Sequence, residues 1–217
     1  IFRASDLAPG MNELATYCRR LVTSIYTKLG NRTRGTYRKM RYALINFGLK
    51  AGLNRKTLGE RFPQRARTVL VLCKGNICRS PFVDKYLRIA ARQRALDLQV
   101  SSAGLDAKVG RQAHPLALER SIKVGVPLDE HRAKAVSETL VNEADIILVM
   151  EPDQQEELLS SFPQAAEKTF LLGHFDPERP VTEIADPYGR PAAEFDACYA
   201  QLSAACEGLL ARLAPTS

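Results

Sequence analysis

The run Thr68-Val69-Leu70-Val71-Leu72 leads straight into Cys73-Lys74-Gly75-Asn76-Ile77-Cys78-Arg79-Ser80-Pro81, and this junction constrains the fold more than any other part of the chain. The short apolar run reads as a strand buried on both faces. Ser80-Pro81 suits a helix start, because proline is tolerated in the first turn. Gly75 and Asn76 between them favour a tight loop. A buried strand that turns through such a loop into a helix brings backbone N–H groups together, and that convergence binds an anion. The loop opens on a thiol and closes, six positions later, on a guanidinium.

The same alternation continues downstream. Strands are expected at 68–73, 98–102, 144–150 and 168–172, and helices near 80–95, 114–124 and 152–161. A last helix near 191–213 would bury Phe195, Cys198, Tyr199, Leu202, Cys206, Leu209 and Leu213. Strands alternating with helices predict an α/β fold with a parallel sheet covered on both faces. Ligands of such sheets sit at the carboxyl ends of the strands, where Cys73 falls.

Charge divides the chain in two. Residues 1–66 hold 14 Lys and Arg against Asp6, Glu13 and Glu60, a net of +11, while residues 67–217 carry a net of −4. Leu14, Cys18, Leu21, Val22, Ile25 and Leu29 share one helical stripe, and Tyr37, Met40, Leu44 and Phe47 a second, weaker one. Residues 48–63 read as a basic, turn-rich connector. The expected organisation is therefore a basic helical N-terminal extension, residues 1–66, before a domain at 67–217. Such an arm suits an anionic membrane surface or a partner protein, or is simply a solvated face; nucleic acid ranks last, because no recognisable motif supports it. Five cysteines without framework spacing point to a reducing, cytoplasmic setting. There is no signal-peptide pattern and no apolar run of membrane-spanning length. The chain opens at Ile1 rather than Met, so a trimmed N-terminus is the expectation.

The loop implies a chemistry. A helix N-terminus and a neighbouring cation both favour the thiolate of Cys73, with no histidine base needed. Arg79 offers a planar fork for two phosphoryl oxygens, which lysine cannot copy. Residues 74–80 (Lys74, Gly75, Asn76, Ile77, Cys78, Arg79, Ser80) would cradle the phosphate. Cys-x5-Arg alone is weak evidence in an arginine-rich chain; the strand before it and the helix after it strengthen the reading. Far downstream, Ala185-Asp186-Pro187-Tyr188-Gly189 forms a turn whose carboxyl group can protonate a leaving oxygen. His114, His131 and His174 lack metal-ligand spacing, so no metal or other cofactor is expected.

With these pieces in hand, the chain from about Arg67 onward resembles the low-molecular-weight protein tyrosine phosphatases, nearest the bacterial branch associated with exopolysaccharide export. The resemblance rests on residues 73–81 and Asp186-Pro187-Tyr188, supported by Ser102-Ala103-Gly104, Val109-Gly110-Arg111, His131-Arg132-Ala133, Met150-Glu151 and Gly173-His174. It implies a four-stranded parallel sheet with helices on both sides. It implies that Cys73 becomes a phosphocysteine, Arg79 binds the phosphoryl oxygens and Asp186 serves as general acid, then base. Ser80 would ease departure of the Cys73 thiolate, and Asn76, Ser102 and His131 would hold the loop in shape. Ile77 matches the phosphotyrosine branch, and Tyr188 is a candidate to stack on a substrate ring. Cys78 would form a protective disulfide with Cys73. Lys74 departs from the family, which usually places an apolar or small residue there.

The resulting expectation is a phosphatase acting on phosphotyrosine in protein, with a tyrosine kinase of polysaccharide export as the candidate substrate. Two alternatives differ in kind. An arsenate reductase would share the loop but needs further cysteines to relay a disulfide, and residues 79–197 contain none. A non-catalytic phosphate-binding docking module would make the basic arm the working part.

Overall fold

The computed structural model describes residues 62, 63 and 65–214. The helical stripes lie outside the described residues, as does all of the basic arm expected in residues 1–66 except 62, 63, 65 and 66. The order is β1 (Thr68–Cys73), α1 (Arg79–Gln93), β2 (Gln99–Gly104), α2 (Pro115–Lys123), α3 (Glu138–Glu143), β3 (Ile146–Val149), α4 (Pro152–Ser161), β4 (Thr169–Leu171) and α5 (Ala192–Leu213). Two 3-10 turns, Pro163–Lys168 and Leu172–Phe175, flank β4.

All pairings are parallel, in the spatial order β2-β1-β3-β4. β1 is central, pairing Val71 with both Ser102 and Leu148, and Cys73 with Gly104. Because side chains alternate along a strand, β1 feeds two cores. Val69, Val71 and Cys73 face one side with Phe82 and Leu87 of α1, Ala117 of α2 and Phe195, Tyr199 and Leu202 of α5. Leu70 and Leu72 face the other with Val141 of α3 and Leu158 of α4. The expected two-sided parallel sheet is therefore present, and the alternation puts the Cys73 side chain on the same face as α1, the helix that follows it.

Local sequence explains the ends of the elements. His114 caps α2 by accepting the Leu116 N–H on Nδ1, with Pro115 at the first turn. Ser137 caps α3 in the same manner through Oγ to the Leu140 N–H. α5 packs against the Leu172–Phe175 turn at Gly208, where a Cβ would stand 1.8 Å from the Phe175 carbonyl oxygen. The Tyr199 ring stacks on Phe82 at 4.0 Å and 12°. Its hydroxyl donates to the Cys78 carbonyl at 3.3 Å, which ties α5 to the Cys73 loop.

Two details depart from the sequence expectation. The helix α3 has a single buried residue, Val141, so it shows no stripe. The strand expected at 168–172 shortens to Thr169–Leu171, because Leu172 already belongs to the 3-10 turn that carries Gly173 and His174.

Candidate active site

The loop after β1 is held by a set of polar contacts centred on Asn76. Asn76 has φ 52°, in the left-handed region that asparagine tolerates better than most residues. Its Oδ1 accepts the Lys134 N–H at 2.9 Å, which orients the amide so that Nδ2 donates to Ser80 Oγ at 2.8 Å. Its carbonyl lies 2.7 Å from His131 Nε2. Burial holds His131 below the ordinary histidine range, so the ring is neutral with its proton on Nε2, donating to Asn76. Ser80 Oγ, already accepting from Asn76, stands 3.0 Å from Cys73 Sγ and 3.5 Å from the Ala103 carbonyl. The hydroxyl can therefore donate to a Cys73 thiolate or to that carbonyl. The Asn76 N–H also points at Cys73 Sγ, at 3.3 Å.

Ser102, expected to share this support, does not. It is buried in β2 opposite Val71, and among the described residues no hydrogen bond joins its side chain to the loop. The third support comes instead from the Lys134 backbone and from Gly104. A Cβ on Gly104 would stand 2.8 Å from the Lys74 carbonyl oxygen and 2.9 Å from the Asn76 nitrogen. β2 contributes here through closeness of backbone, not through a hydroxyl.

Arg79 opens α1 and is almost wholly buried, at 1% exposure. One edge of its guanidinium is anchored: Nη1 donates to Glu151 Oε1 at 2.5 Å and to the Ile184 carbonyl at 2.9 Å. Glu151 is itself placed by Gln154, whose Nε2 donates to the same Oε1 at 2.8 Å while its Oε1 accepts the Met150 N–H. On the other edge, Nη2 meets Asp186 Oδ2 at 2.7 Å, and Nε has no partner within the described residues. Burial works against the guanidinium charge, but the Cys73 sulfur, Asp186 and Glu151 outweigh it and raise Arg79 further above its ordinary range. This arrangement presents Nε and Nη2 together as a fork for two oxygens of one anion.

Asp186 reaches this fork from the loop before α5. The preceding Ile184 is tied by its N–H to the Met150 carbonyl at the end of β3, and by its carbonyl to Arg79. Asp186 Oδ1 accepts the Tyr188 N–H at 3.1 Å, a turn closed by Gly189 at φ 72°. The Tyr188 ring meets His114 edge-on at 5.4 Å, and His114 stacks on Phe195 of α5 at 5.5 Å.

Together these elements enclose a cavity of about 280 Å³ lined by the loop residues Cys73, Lys74, Gly75, Ile77, Cys78 and Arg79 and, across from them, by Asp106, Arg111, Asp186 and Tyr188. Of the residues expected at the site, all but Asn76, Ser80, Ser102 and His131 line this cavity. Asn76, Ser80 and His131 support it from behind. Cys73 and Cys78 are both free thiols; Cys78 stands at the N-cap position of α1 without a side-chain capping bond, and burial, with Cys73 and Asp186, pushes its thiol far up. Glu151, Gln154 and the Ile184 carbonyl carry the positioning of Arg79. Glu151 was visible in the sequence only as part of Met150-Glu151, and nothing local connected it to an arginine 72 positions earlier. Among the described residues no cluster of His, Cys, Asp and Glu could hold a metal ion, and no helix is long and apolar enough to cross a membrane.

Comparison with known proteins agrees with this geometry. Residues 68–216 match the family model for low molecular weight phosphotyrosine protein phosphatase. The chain is 38% identical to the low molecular weight protein-tyrosine-phosphatase Wzb of Escherichia coli K12, over 62% of this chain and 86% of that protein. It is 35% identical to EpsP of Ralstonia solanacearum, described as a probable low molecular weight protein-tyrosine-phosphatase, over 68% of this chain and 96% of that protein. Among solved structures, the tyrosine phosphatase amsI of Erwinia amylovora superimposes with a TM-score of 0.63 and 33% identity, covering 69% of this chain and 95% of that one.

Proposed function

Because the chain belongs to the low molecular weight phosphotyrosine protein phosphatase family, in the branch of EpsP and Wzb, we propose that Cys73 is its nucleophile, Arg79 its phosphoryl clamp and Asp186 its general acid and base. The observation that carries the reading is the convergence of Cys73 Sγ, the outward edge of Arg79 and the Asp186 carboxyl group on one cavity.

The phosphoryl group of the substrate takes the place that Asp186 holds on Nη2, and Nε supplies the second contact. The Cys73 thiolate attacks phosphorus, the bond from phosphorus to the phenolic oxygen breaks, and its electron pair goes to that oxygen. Asp186, displaced from Arg79 and protonated from solvent, hands that proton to the departing phenolic oxygen. Asp186 then takes a proton from water as the water oxygen attacks the phosphocysteine. The sulfur–phosphorus bond breaks toward sulfur, where the Ser80 hydroxyl and the Asn76 N–H receive the returning charge. Catalysis of this kind needs positioning and charge stabilisation, which the anchored guanidinium and the loop amides supply.

The substrate we assign is phosphotyrosine in protein, with a tyrosine kinase of polysaccharide export as the physiological candidate; likeness to EpsP and Wzb supports this choice. A reducing cytoplasm suits the free thiols, and residues 67–217 form the catalytic domain in this reading. Oxidation of Cys73 by peroxide to a sulfenic acid, followed by attack from Cys78 with loss of water, would store the nucleophile as a disulfide. The test is hydrolysis of an aryl phosphate and a phosphotyrosine peptide in EDTA. Cys73→Ser is expected to show no turnover, and Asp186→Ala a slow rate that depends on the leaving group. Full activity of Cys73→Ser would overturn the assignment.

A further inference from the structure

The mouth of the Cys73 cavity carries charge that hydrolysis does not use. Lys74, Asp106 and Arg111 stand at its exposed rim beside Tyr188. Lys74 is already matched, its ammonium 2.9 Å from Glu157 of α4. Arg111 is not: among the described residues its side chain has neither a hydrogen bond nor an ion pair.

The backbone beneath Arg111 is nevertheless well fixed. Its N–H donates to the Lys108 carbonyl at 3.2 Å, its carbonyl accepts the Ala133 N–H at 2.8 Å, and the Gly110 N–H donates to the Ala133 carbonyl at 2.9 Å. The start of the same loop is tied to the nucleophile loop, Leu105 N–H to the Cys73 carbonyl at 3.0 Å and Asp106 N–H to the Lys74 carbonyl at 2.8 Å. A free guanidinium is thus held on a rigid stem in the wall that a phosphotyrosine side chain must pass.

Resting on the phosphatase reading, we propose that Arg111 selects phosphotyrosines that stand next to an acidic residue. With the phosphoryl group in the cradle, the peptide backbone lies across the rim, and neighbouring side chains start only about 3.8 Å along the chain from the phosphotyrosine Cα. A carboxylate there meets an arginine fork suited to hold both of its oxygens. Asp106, five positions earlier on the same loop and also without an ion-pair partner among the described residues, works against it. Arg111 is therefore a specificity residue whose effect is the surplus over one opposing carboxylate.

The experiment compares kcat/KM for three phosphotyrosine peptides with glutamate, alanine or lysine on both sides of the phosphotyrosine, alongside an aryl phosphate. The rim is exposed, so the glutamate peptide is expected to exceed the alanine peptide by roughly two- to five-fold in the wild type. Arg111→Ala brings that ratio to about one, Arg111→Glu inverts the order of the glutamate and lysine peptides, and Asp106→Asn widens the wild-type preference. Raising salt from about 0.05 to 0.5 M shrinks it, because the Debye length falls to a few ångströms. A ratio of two rates on one enzyme sample does not depend on how much of a variant is folded. An acidic preference absent from the wild type, or unchanged in Arg111→Glu, would overturn the proposal while leaving the phosphatase reading intact. Failure of the wild type on every substrate, aryl phosphate included, would overturn both.

Discussion

Replacing Glu151 by Gln tests whether the clamp proposed for Arg79 rests on its own chemistry or on the carboxylate behind it. The substitution keeps the shape. The new amide oxygen can accept from Arg79 Nη1 and from Gln154 Nε2, as Glu151 Oε1 does at 2.5 and 2.8 Å. What disappears is the charge, in a contact where the Arg79 side chain is 2% exposed and that of Glu151 18%. Arg79 stays charged, so the bond to the amide remains charge-assisted; such bonds contribute about 1.5–3 kcal/mol, and the loss is at most the width of that range, about 1.5 kcal/mol. If that anchor is felt fully when the fork closes on the transition state, kcat falls by up to about tenfold, since 1.4 kcal/mol is one decade. KM should not rise, because removing a carboxylate beside a dianion does not weaken its binding. Glu151→Ala removes the acceptor as well, and breaking a buried pair costs about 3–5 kcal/mol. Here Arg79 keeps Asp186 and the Ile184 carbonyl, so the cost sits at or below the lower end of that range. The assay pairs saturation kinetics on an aryl phosphate with urea unfolding of the same samples. Wild-type kcat in Glu151→Gln together with lowered stability would refute the reasoning, because the pair would then hold the fold without orienting the clamp.

Two further predictions concern backbone closeness and a buried base. Gly104→Ala forces a Cβ to within 3 Å of the Lys74 and Asn76 backbones, and a shift of about 1 Å in a catalytic loop can cost on the order of 100-fold in rate; overpacking costs only about 1–3 kcal/mol of stability. Kinetics beside a thermal melt should therefore show an activity loss well beyond the fraction unfolded, and unchanged kcat/KM would refute the close fit. His174 has a buried Nε2 without a partner among the described residues, and burial lowers it from 6.5 to about 4. The unfolded chain then binds the proton and the folded one does not, so stability is full above pH 6.5 and declines as pH falls toward 4, by about 3 kcal/mol at most. Urea midpoints at several pH values should show that decline in the wild type and a flatter profile in His174→Leu; parallel profiles would assign the acid sensitivity to other groups.

The fold was legible because its signals are local. The apolar run at 68–72, the Ser80-Pro81 start and the stripe of α5 each lie within one element, and the structure places β1 and α5 within a residue or two of the expected bounds. The supports of the site are different in kind. Ser102 was expected to support the loop only because the family resemblance implied it, yet β2 meets the loop through the bare backbone of Gly104. Glu151 and Ile184 act on Arg79 only because β3 runs parallel beside β1 and delivers Met150 to the same sheet edge, where it accepts the Ile184 N–H. No spacing encodes such a meeting. It follows from strand order and register, which put residues 79, 151 and 184 around one guanidinium although more than 30 positions separate each from the next. Pattern in a sequence of this class thus announces the proposed reacting groups, which cluster in two short loops, and withholds the groups that aim them. Those groups come from whichever strand ends the sheet brings alongside, and Glu151 at the end of β3 is where that distinction is tested most sharply.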